Sequence, residues 1–252
     1  MIWLRSAAFN LWFYATTVVL ALTSLVVNLG PAPWVHGLAR LWARTVLGGL
    51  RPLCGITVLV SGREHLPTDG PALIASQHQS AFDTVVWLLL VPQTAYVLKQ
   101  ELTKIPLYGG IVRRMGMIAV DRSAGAAAIR ALLRGTDAAV AQGRQIVIFP
   151  EGTRAPPGVR LPLHPGIAAM AARSGLPVIP VVTDSGSHWG RRAFRKQPGT
   201  IHIAIQPPLP AGMPRAALMA RLEALYAAGV SDVDKSVGVP LFRFSARPRK
   251  FP

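Results

Sequence analysis

The stretch Ala72-Leu73-Ile74-Ala75-Ser76-Gln77-His78-Gln79-Ser80-Ala81-Phe82-Asp83, continuing through Thr84 to Leu90, changes character twice. Ala72–Ala75 is a short apolar run without polar alternation, the pattern of a strand covered on both faces. Ala81–Leu90 reads as a helix, and the polar residues between the two form a strand-to-helix turn. The chain repeats this alternation. Ile56–Val60, Ala95–Leu98, Met117–Val120, Ile146–Phe149, Val178–Val182 and Ile201–Ile205 are further strand candidates, and Ala124–Gln142, Gly166–Arg173 and Pro214–Ala228 are helix candidates. Such order predicts an α/β domain, residues 53–230, with a largely parallel, buried sheet flanked by helices.

Outward from that domain the composition shifts. The 252 residues are 51% hydrophobic and 15% charged, greasier than an average soluble domain. Mean hydropathy is +0.37. Much of the excess lies at the start: Ser6 to Ala39 contains no Asp, Glu, Lys or Arg. A run of that length can cross a bilayer core, which takes roughly 20 helical residues. The apolar core of a cleaved signal peptide is roughly 7–15 residues, so a retained anchor, residues 1–52, is expected. After the Pro31–Pro33 break, Arg40, Arg44 and Arg51 sit in an apolar frame, predicting a second, amphipathic helix at a membrane surface. The first segment either spans or forms a one-leaflet hairpin with the second. Arginines follow the apolar run more than they precede it, predicting that the bulk of the chain is cytoplasmic. Residues 231–252 form a basic, phenylalanine-bearing tail.

The formal net charge is +16, carried mainly by arginine. Such a surface attracts phosphate-bearing lipids, acidic carrier proteins or nucleic acid, and beside an anchor anionic lipid comes first. No nucleic-acid-binding module is present in the sequence. Cys54 is the only cysteine, which excludes an internal disulfide and multi-thiolate metal sites.

Chemistry-bearing residues stand where the strand candidates end. His78 and Asp83 are five positions apart. On one continuous helix that step separates the side chains by about 140°, so they meet only if the chain turns between them. Asp83 can then accept the Nδ1 proton of His78 and leave Nε2 as a general base. A structural histidine beside a helix-capping aspartate is the blander alternative. No Gly-x-Ser-x-Gly elbow occurs in the chain, and nothing marks Ser80 as an activated nucleophile, so the attacking hydroxyl is expected to belong to a substrate. In Phe149-Pro150-Glu151-Gly152-Thr153-Arg154, Pro150 ends strand pairing. Gly152 permits close backbone approach to an anion, Arg154 offers a planar fork for phosphate, and Glu151 can orient Arg154 or bind a hydroxyl. Lys99 and the pair Asp121–Arg122 also follow strands, where α/β sheets gather ligand groups.

Taken together these motifs resemble the glycerolipid acyltransferase family, in particular its bacterial 1-acylglycerol-3-phosphate acyltransferases. The likeness runs from about Gly70 to Pro210. It rests on the His-x4-Asp box at His78 and Asp83, and on the Lys-x-Glu-Leu-x3-Pro-x2-Gly box at Lys99, Glu101, Leu102, Pro106 and Gly109. Val120-Asp121-Arg122, Phe149–Arg154 and the Val178–Val181 strand complete it. Where the family often carries a lysine, this chain has His164.

The resemblance implies an α/β acyltransferase core behind an N-terminal helical membrane anchor, at a bacterial inner (cytoplasmic) membrane. It implies His78 as base and Asp83 as its partner. Lys99, Arg122, Glu151, Gly152, Thr153 and Arg154 would bind the acceptor. The reaction it implies moves a fatty acyl group from an acyl-carrier protein or coenzyme A thioester to the sn-2 hydroxyl of lysophosphatidic acid, with no metal or other cofactor, giving phosphatidic acid. The rival expectations are the same chemistry on another lyso-lipid such as a lyso-ornithine lipid, and a non-catalytic lipid-binding protein.

Overall fold

The computed structural model describes residues 1–242, with the side chain of Val233 excepted. Strands β1 Ile56–Ser61, β2 Ala72–Ser76, β3 Thr94–Lys99, β4 Ile118–Val120, β5 Gln145–Ile148, β6 Val178–Thr183, β7 Gly199–Ile205 and β8 Val239–Pro240 form one sheet among the described residues. Its order is β4-β3-β5-β2-β6-β7-β1-β8. From β4 across to β6 every pairing is parallel. The sheet turns mixed at β7, which runs antiparallel to β6 and parallel to β1. The expectation of a largely parallel sheet therefore holds for its centre.

The crossovers that parallel strands require run through α3 Phe82–Leu90, α4 Tyr108–Arg114, α5 Ala126–Ala141 and α6 Gly166–Ser174; α1 Ile2–Val27 and α2 Ala32–Gly48 precede the sheet, α7 Ser185–His188 leads into β7, and α8 Arg215–Ala228 and α9 Asp232–Val237 lie between β7 and β8. Two cores follow from the two faces of the pleat. Alternate strand residues such as Ile74, Val147 and Ile179 pack under α1, α2 and α3 with Phe82 and Trp87. Leu73, Ile146 and Ile148 point the other way, to Leu132, Met170 and Leu222 of α5, α6 and α8.

Three expectations need correcting. Phe149 lies outside β5, which ends at Ile148, because Pro150 has no N–H to continue the ladder. The second segment, α2, buries Val35, Ala39, Ala43, Val46 and Leu47 and packs on α1 and α3, so its apolar stripe faces protein. Arg40 accordingly donates to the carbonyl of Pro92 at 3.1 Å. Finally, residues from Ser231 do not begin as a tail. Ser231 and Asp234 form a reciprocal cap on α9, and β8 adds antiparallel to β1. The remainder of the expected tail, residues 243–252, lies outside the described residues.

Helix α1 is long and apolar enough to cross a membrane, yet it is held to the body near both ends. Near its start Arg5 donates to the carbonyl of Leu53 at 3.0 Å. Just past its end Arg114 of α4 donates to the carbonyl of Gly30. Between these points Trp12 donates to the carbonyl of Thr45 at 3.0 Å, and Trp42 to the Thr17 hydroxyl at 3.2 Å. The outer face carries Leu4, Leu11, Val18, Leu22 and Leu25, all exposed, a stripe with helical spacing.

Candidate active site

Because β5, β2 and β6 are adjacent and parallel, their carboxyl ends share one edge of the sheet, where open α/β sheets place ligands. The turn after β2 carries His78, the turn after β5 carries Glu151, and α7 after β6 starts with Ser185. Sequence separations of 73 and 102 residues thereby become hydrogen bonds.

His78 Nδ1 lies 3.0 Å from Asp83 Oδ2. A carboxylate only accepts, so Nδ1 carries the proton and Nε2 keeps its lone pair. The chain turns between the two residues, since α3 begins only at Phe82. Asp83 stands in the first turn of that helix, and its Oδ2 also accepts the backbone N–H groups of Gln79 and Ser80, each at 2.7 Å. Its Oδ1 accepts the Ser185 hydroxyl at 2.6 Å. One carboxylate thus holds the backbone of the turn before α3 and orients the imidazole, and α3 has no side-chain cap. Both residues are buried, and the His78 ring stacks on Phe149 with centroids 4.2 Å apart. That contact fixes the ring plane. Ser80 serves the backbone instead, its hydroxyl accepting the Phe82 N–H at 3.1 Å, and is not aimed at a substrate.

Glu151 does not reach Arg154. Its Oε2 accepts the backbone N–H of His78 at 2.6 Å, tying the two boxes together directly. Burial pushes its carboxyl up to about 7, against the lowering effect of that N–H and with a further rise from nearby Asp83. Ala155 N–H donates to the His78 carbonyl at 2.8 Å, so the loop after β5 grips both polar groups of the His78 backbone.

Gly152 has φ +68, in the left-handed region. A Cβ there would stand 2.7 Å from His164 Cδ2 and 3.1 Å from Arg122 Nη1. Arg122, three strands from β2, folds back and donates to the Gly152 carbonyl. Arg154 Nε is buried without a hydrogen-bond partner. Burial lowers the pKa of its guanidinium, Asp83 raises it, and the nearby cations Arg191 and Arg192 lower it further. Thr153 is exposed. Lys99 is exposed at the end of β3, and its ammonium makes no hydrogen bond or ion pair among the described residues. Two strand spacings separate β3 from β2, about 10 Å, so Lys99 borders the site without touching His78. Gly109, in the same box, packs so closely on the Thr103 carbonyl that a Cβ would collide with it.

Ser185, Gln79 and Gln77 were not legible as site residues. Gln79 Oε1 accepts the Gly186 N–H at 3.1 Å and Gln77 Oε1 accepts the Thr183 N–H at 3.2 Å, stitching the His78 turn to the end of β6. The Ser185-Gly186-Ser187-His188 stretch carries no motif that would have revealed this. Behind Glu151, between the 159–163 loop and α8, lies a cavity of about 530 Å³ reached by Gln77, Leu161, Leu163 and Tyr226. Among the described residues no three His, Cys, Asp or Glu side chains gather to hold a metal ion.

Known proteins resemble this chain in sequence and in fold. The chain is 35% identical to 1-acyl-sn-glycerol-3-phosphate acyltransferase of Pseudomonas aeruginosa over 66% of its own length and 64% of that relative's. It is 32% identical to the enzyme of that name from Limnanthes alba, over 73% of this chain and 66% of the relative. The chain thus spans just under two thirds of the length of these curated relatives. The crystal structure of the 1-acyl-sn-glycerophosphate acyltransferase from Thermotoga maritima superposes with a TM-score of 0.72 at 23% identity, covering 90% of this chain and 97% of that one. It shares the fold. The acyltransferase family model matches residues 57–184, the segment from β1 to the residue before Ser185 and about half of the chain, and by that match the protein belongs to the acyltransferase family.

Proposed function

We propose that this chain transfers a fatty acyl group from a thioester donor to the sn-2 hydroxyl of a 1-acylglycerol 3-phosphate, forming phosphatidic acid. The observation that carries the reading is the His78–Asp83 pair, with Nδ1 held at 3.0 Å and every other contact of the carboxylate made by the protein itself. His78 Nε2 takes the proton of the acceptor hydroxyl as that oxygen attacks the thioester carbonyl carbon. The tetrahedral oxyanion collapses, the carbon–sulfur bond breaks, and the imidazolium returns the proton to the departing thiolate. A general base of this kind contributes about 10²–10⁴-fold. The protein forms no covalent bond to the acyl group.

The acceptor's phosphate is assigned to the loop after β5, with Arg154 as its chief cation and Gly152 and Thr153 lining the approach. Arg122 and Lys99, on the same sheet edge, extend the positive rim, and Lys99 also suits a developing oxyanion. Glu151 is assigned a positioning role on the His78 backbone in place of direct acceptor contact. The relatives' shared name supports a phosphate-bearing lyso-lipid. The donor is an acyl-carrier protein or coenzyme A thioester; an acidic carrier protein suits a surface of net charge +16.

The reading puts the protein at the bacterial inner membrane with its α/β body on the cytoplasmic side. Helix α1 is assigned to one leaflet. A helix fastened near both ends to one rigid body, through Arg5 and through Gly30, cannot cross a bilayer while that body stays on one side. Its exposed leucine stripe faces lipid.

The test offers the purified full-length protein in lipid nanodiscs lysophosphatidic acid, or a lyso-ornithine lipid, with each donor and reads the products by mass spectrometry. Phosphatidic acid is expected from lysophosphatidic acid, and Arg154→Ala is expected to raise its KM about tenfold or more. Equal use of the phosphate-free acceptor, unaffected by Arg154→Ala, would overturn the acceptor assignment.

A further inference from the structure

The loop between α7 and β7, Trp189-Gly190-Arg191-Arg192-Ala193-Phe194-Arg195-Lys196, begins at the active site and ends against the membrane-facing helix. At its near end, Ser185 of α7 holds Asp83 and the Trp189 N–H donates back to the Ser185 carbonyl at 2.8 Å. At its far end, Lys196 is only 2% exposed. Among the described residues the ammonium has no carboxylate partner. It donates to Asn10 Oδ1 of α1 at 3.0 Å and to the carbonyls of Ala193 and Phe194 at 2.9 and 3.0 Å. The Lys196 N–H donates to the Ser6 hydroxyl at 2.9 Å, and Asn10 donates to the Phe194 carbonyl at 3.1 Å. Trp189 stands edge-on to Phe9 and Phe13, and Phe194 stacks on Trp3.

A loop fastened this densely is not carrying its arginines at random. Arg192 holds φ +54, a left-handed conformation that disfavours a long side chain and persists only where the surroundings enforce it. Arg191 and Arg192 are exposed, make no ion pair among the described residues, and act electrostatically on Arg154. Arg154 itself keeps a buried, unpartnered Nε. Arg191 and Arg192 follow Ser185, whose hydroxyl holds Asp83 beside His78, by six and seven residues, so the loop carries both guanidinium groups from the edge of the site that holds Arg154. The carboxylate that attracts Arg154, Asp83, is already engaged by His78. Mutual repulsion of this kind is relieved by a bound anion of two negative charges.

We propose that Arg191 and Arg192 complete the phosphate-monoester site with Arg154, and that α1, through buried Lys196, positions them, so that the membrane-facing helix is part of the acceptor site as well as an anchor. The proposal rests on the acceptor reading given above. Arg191 and Arg192 are binding residues. Lys196, Asn10 and Ser6 act through them as positioning residues.

The test uses full-length protein in nanodiscs of zwitterionic lipid and a short-chain, monomeric 1-acylglycerol 3-phosphate, so that attraction to bulk anionic lipid plays no part. Arg191→Ala/Arg192→Ala is expected to raise acceptor KM about tenfold or more, with kcat and the donor KM within twofold. Asn10→Ala, which removes the bonds from α1 to the Lys196 ammonium and the Phe194 carbonyl, should raise acceptor KM severalfold with the same split. Independently of turnover, calorimetry with sn-glycerol 3-phosphate should show about tenfold weaker binding to the double variant. An unchanged acceptor KM and unchanged glycerol 3-phosphate affinity would overturn the proposal. So would a defect that arises only on vesicles containing anionic lipid, which would make the loop a membrane-attraction surface. Wild-type protein that binds glycerol 3-phosphate through these arginines yet leaves lysophosphatidic acid unacylated would keep the site and sink the acceptor reading alone.

Discussion

Glu151 and His78 are coupled through the backbone, and the coupling has a pH signature. The Glu151 carboxyl titrates at about 7 in the fold against an ordinary 4.5, chiefly because it is buried. The folded state therefore binds a proton that the unfolded state has released, and stability falls as pH rises from about 4.5 to about 7 before levelling. The shift corresponds to roughly 3 kcal/mol. Glu151→Gln keeps an oxygen for the His78 N–H and removes the titration. Thermal melts of the variant between pH 5 and 7.5 should lack the wild-type decline in Tm attributable to this group; identical slopes would refute the assignment. The sequence disclosed Glu151 as a loop residue but not this partner. Its spacing suggested Arg154 three residues away, whereas the carboxyl is buried and serves a backbone N–H 73 residues distant. Ser185 was hidden for a similar reason. A hydroxyl 102 residues from Asp83 carries no local signal, and only the pairing of β2 with β6 brings it near.

At the level of elements, the turn after β5 depends on Gly152. Its φ of +68 and the closeness of His164 and Arg122 leave no room for a side chain. Gly152→Ala should cost about 1–2 kcal/mol of stability from backbone strain alone and dislodge Arg122 from the Gly152 carbonyl. Acceptor KM should rise while the protein remains folded, as thermal melting and steady-state kinetics would register. A variant with wild-type KM would separate this turn from acceptor binding. Most strands and long helices were readable because buried runs of Val, Ile and Leu, and 3.6-residue periods, survive in the sequence. Helix α4 was not among the helix candidates: the glycines of Tyr108-Gly109-Gly110-Ile111 are poor helix formers, and Gly109 packs tightly on Thr103. The stripe of α2 was readable, but periodicity does not say whether lipid or protein covers it. Here α3 does.

On the scale of the whole molecule, the four boxes meet because β4, β3, β5 and β2 run parallel and open onto one edge. Strand order was beyond the sequence, since parallel pairing leaves no short-range mark. Box order, by contrast, was plain. The proposed anchor follows the same logic: composition revealed an apolar helix, and the ties through Arg5 and Gly30 are what argue for its place in one leaflet. Labels introduced by Leu4→Cys and Leu25→Cys, near opposite ends of α1, should both be quenched by a membrane-impermeant quencher added only on the side that carries the α/β body. A spanning helix would place them at opposite bilayer surfaces. Buried Cys54, its thiol pushed up by burial, should contribute little background labelling.

The proposed reaction depends above all on the His78 imidazole taking the proton of the acceptor hydroxyl. Its most direct test is the full-length His78→Ala variant in nanodiscs, saturated with thioester donor and lysophosphatidic acid. The account predicts a fall in kcat of about 10²–10⁴-fold with glycerol 3-phosphate affinity within twofold of wild type; an undiminished rate of phosphatidic acid formation would contradict it.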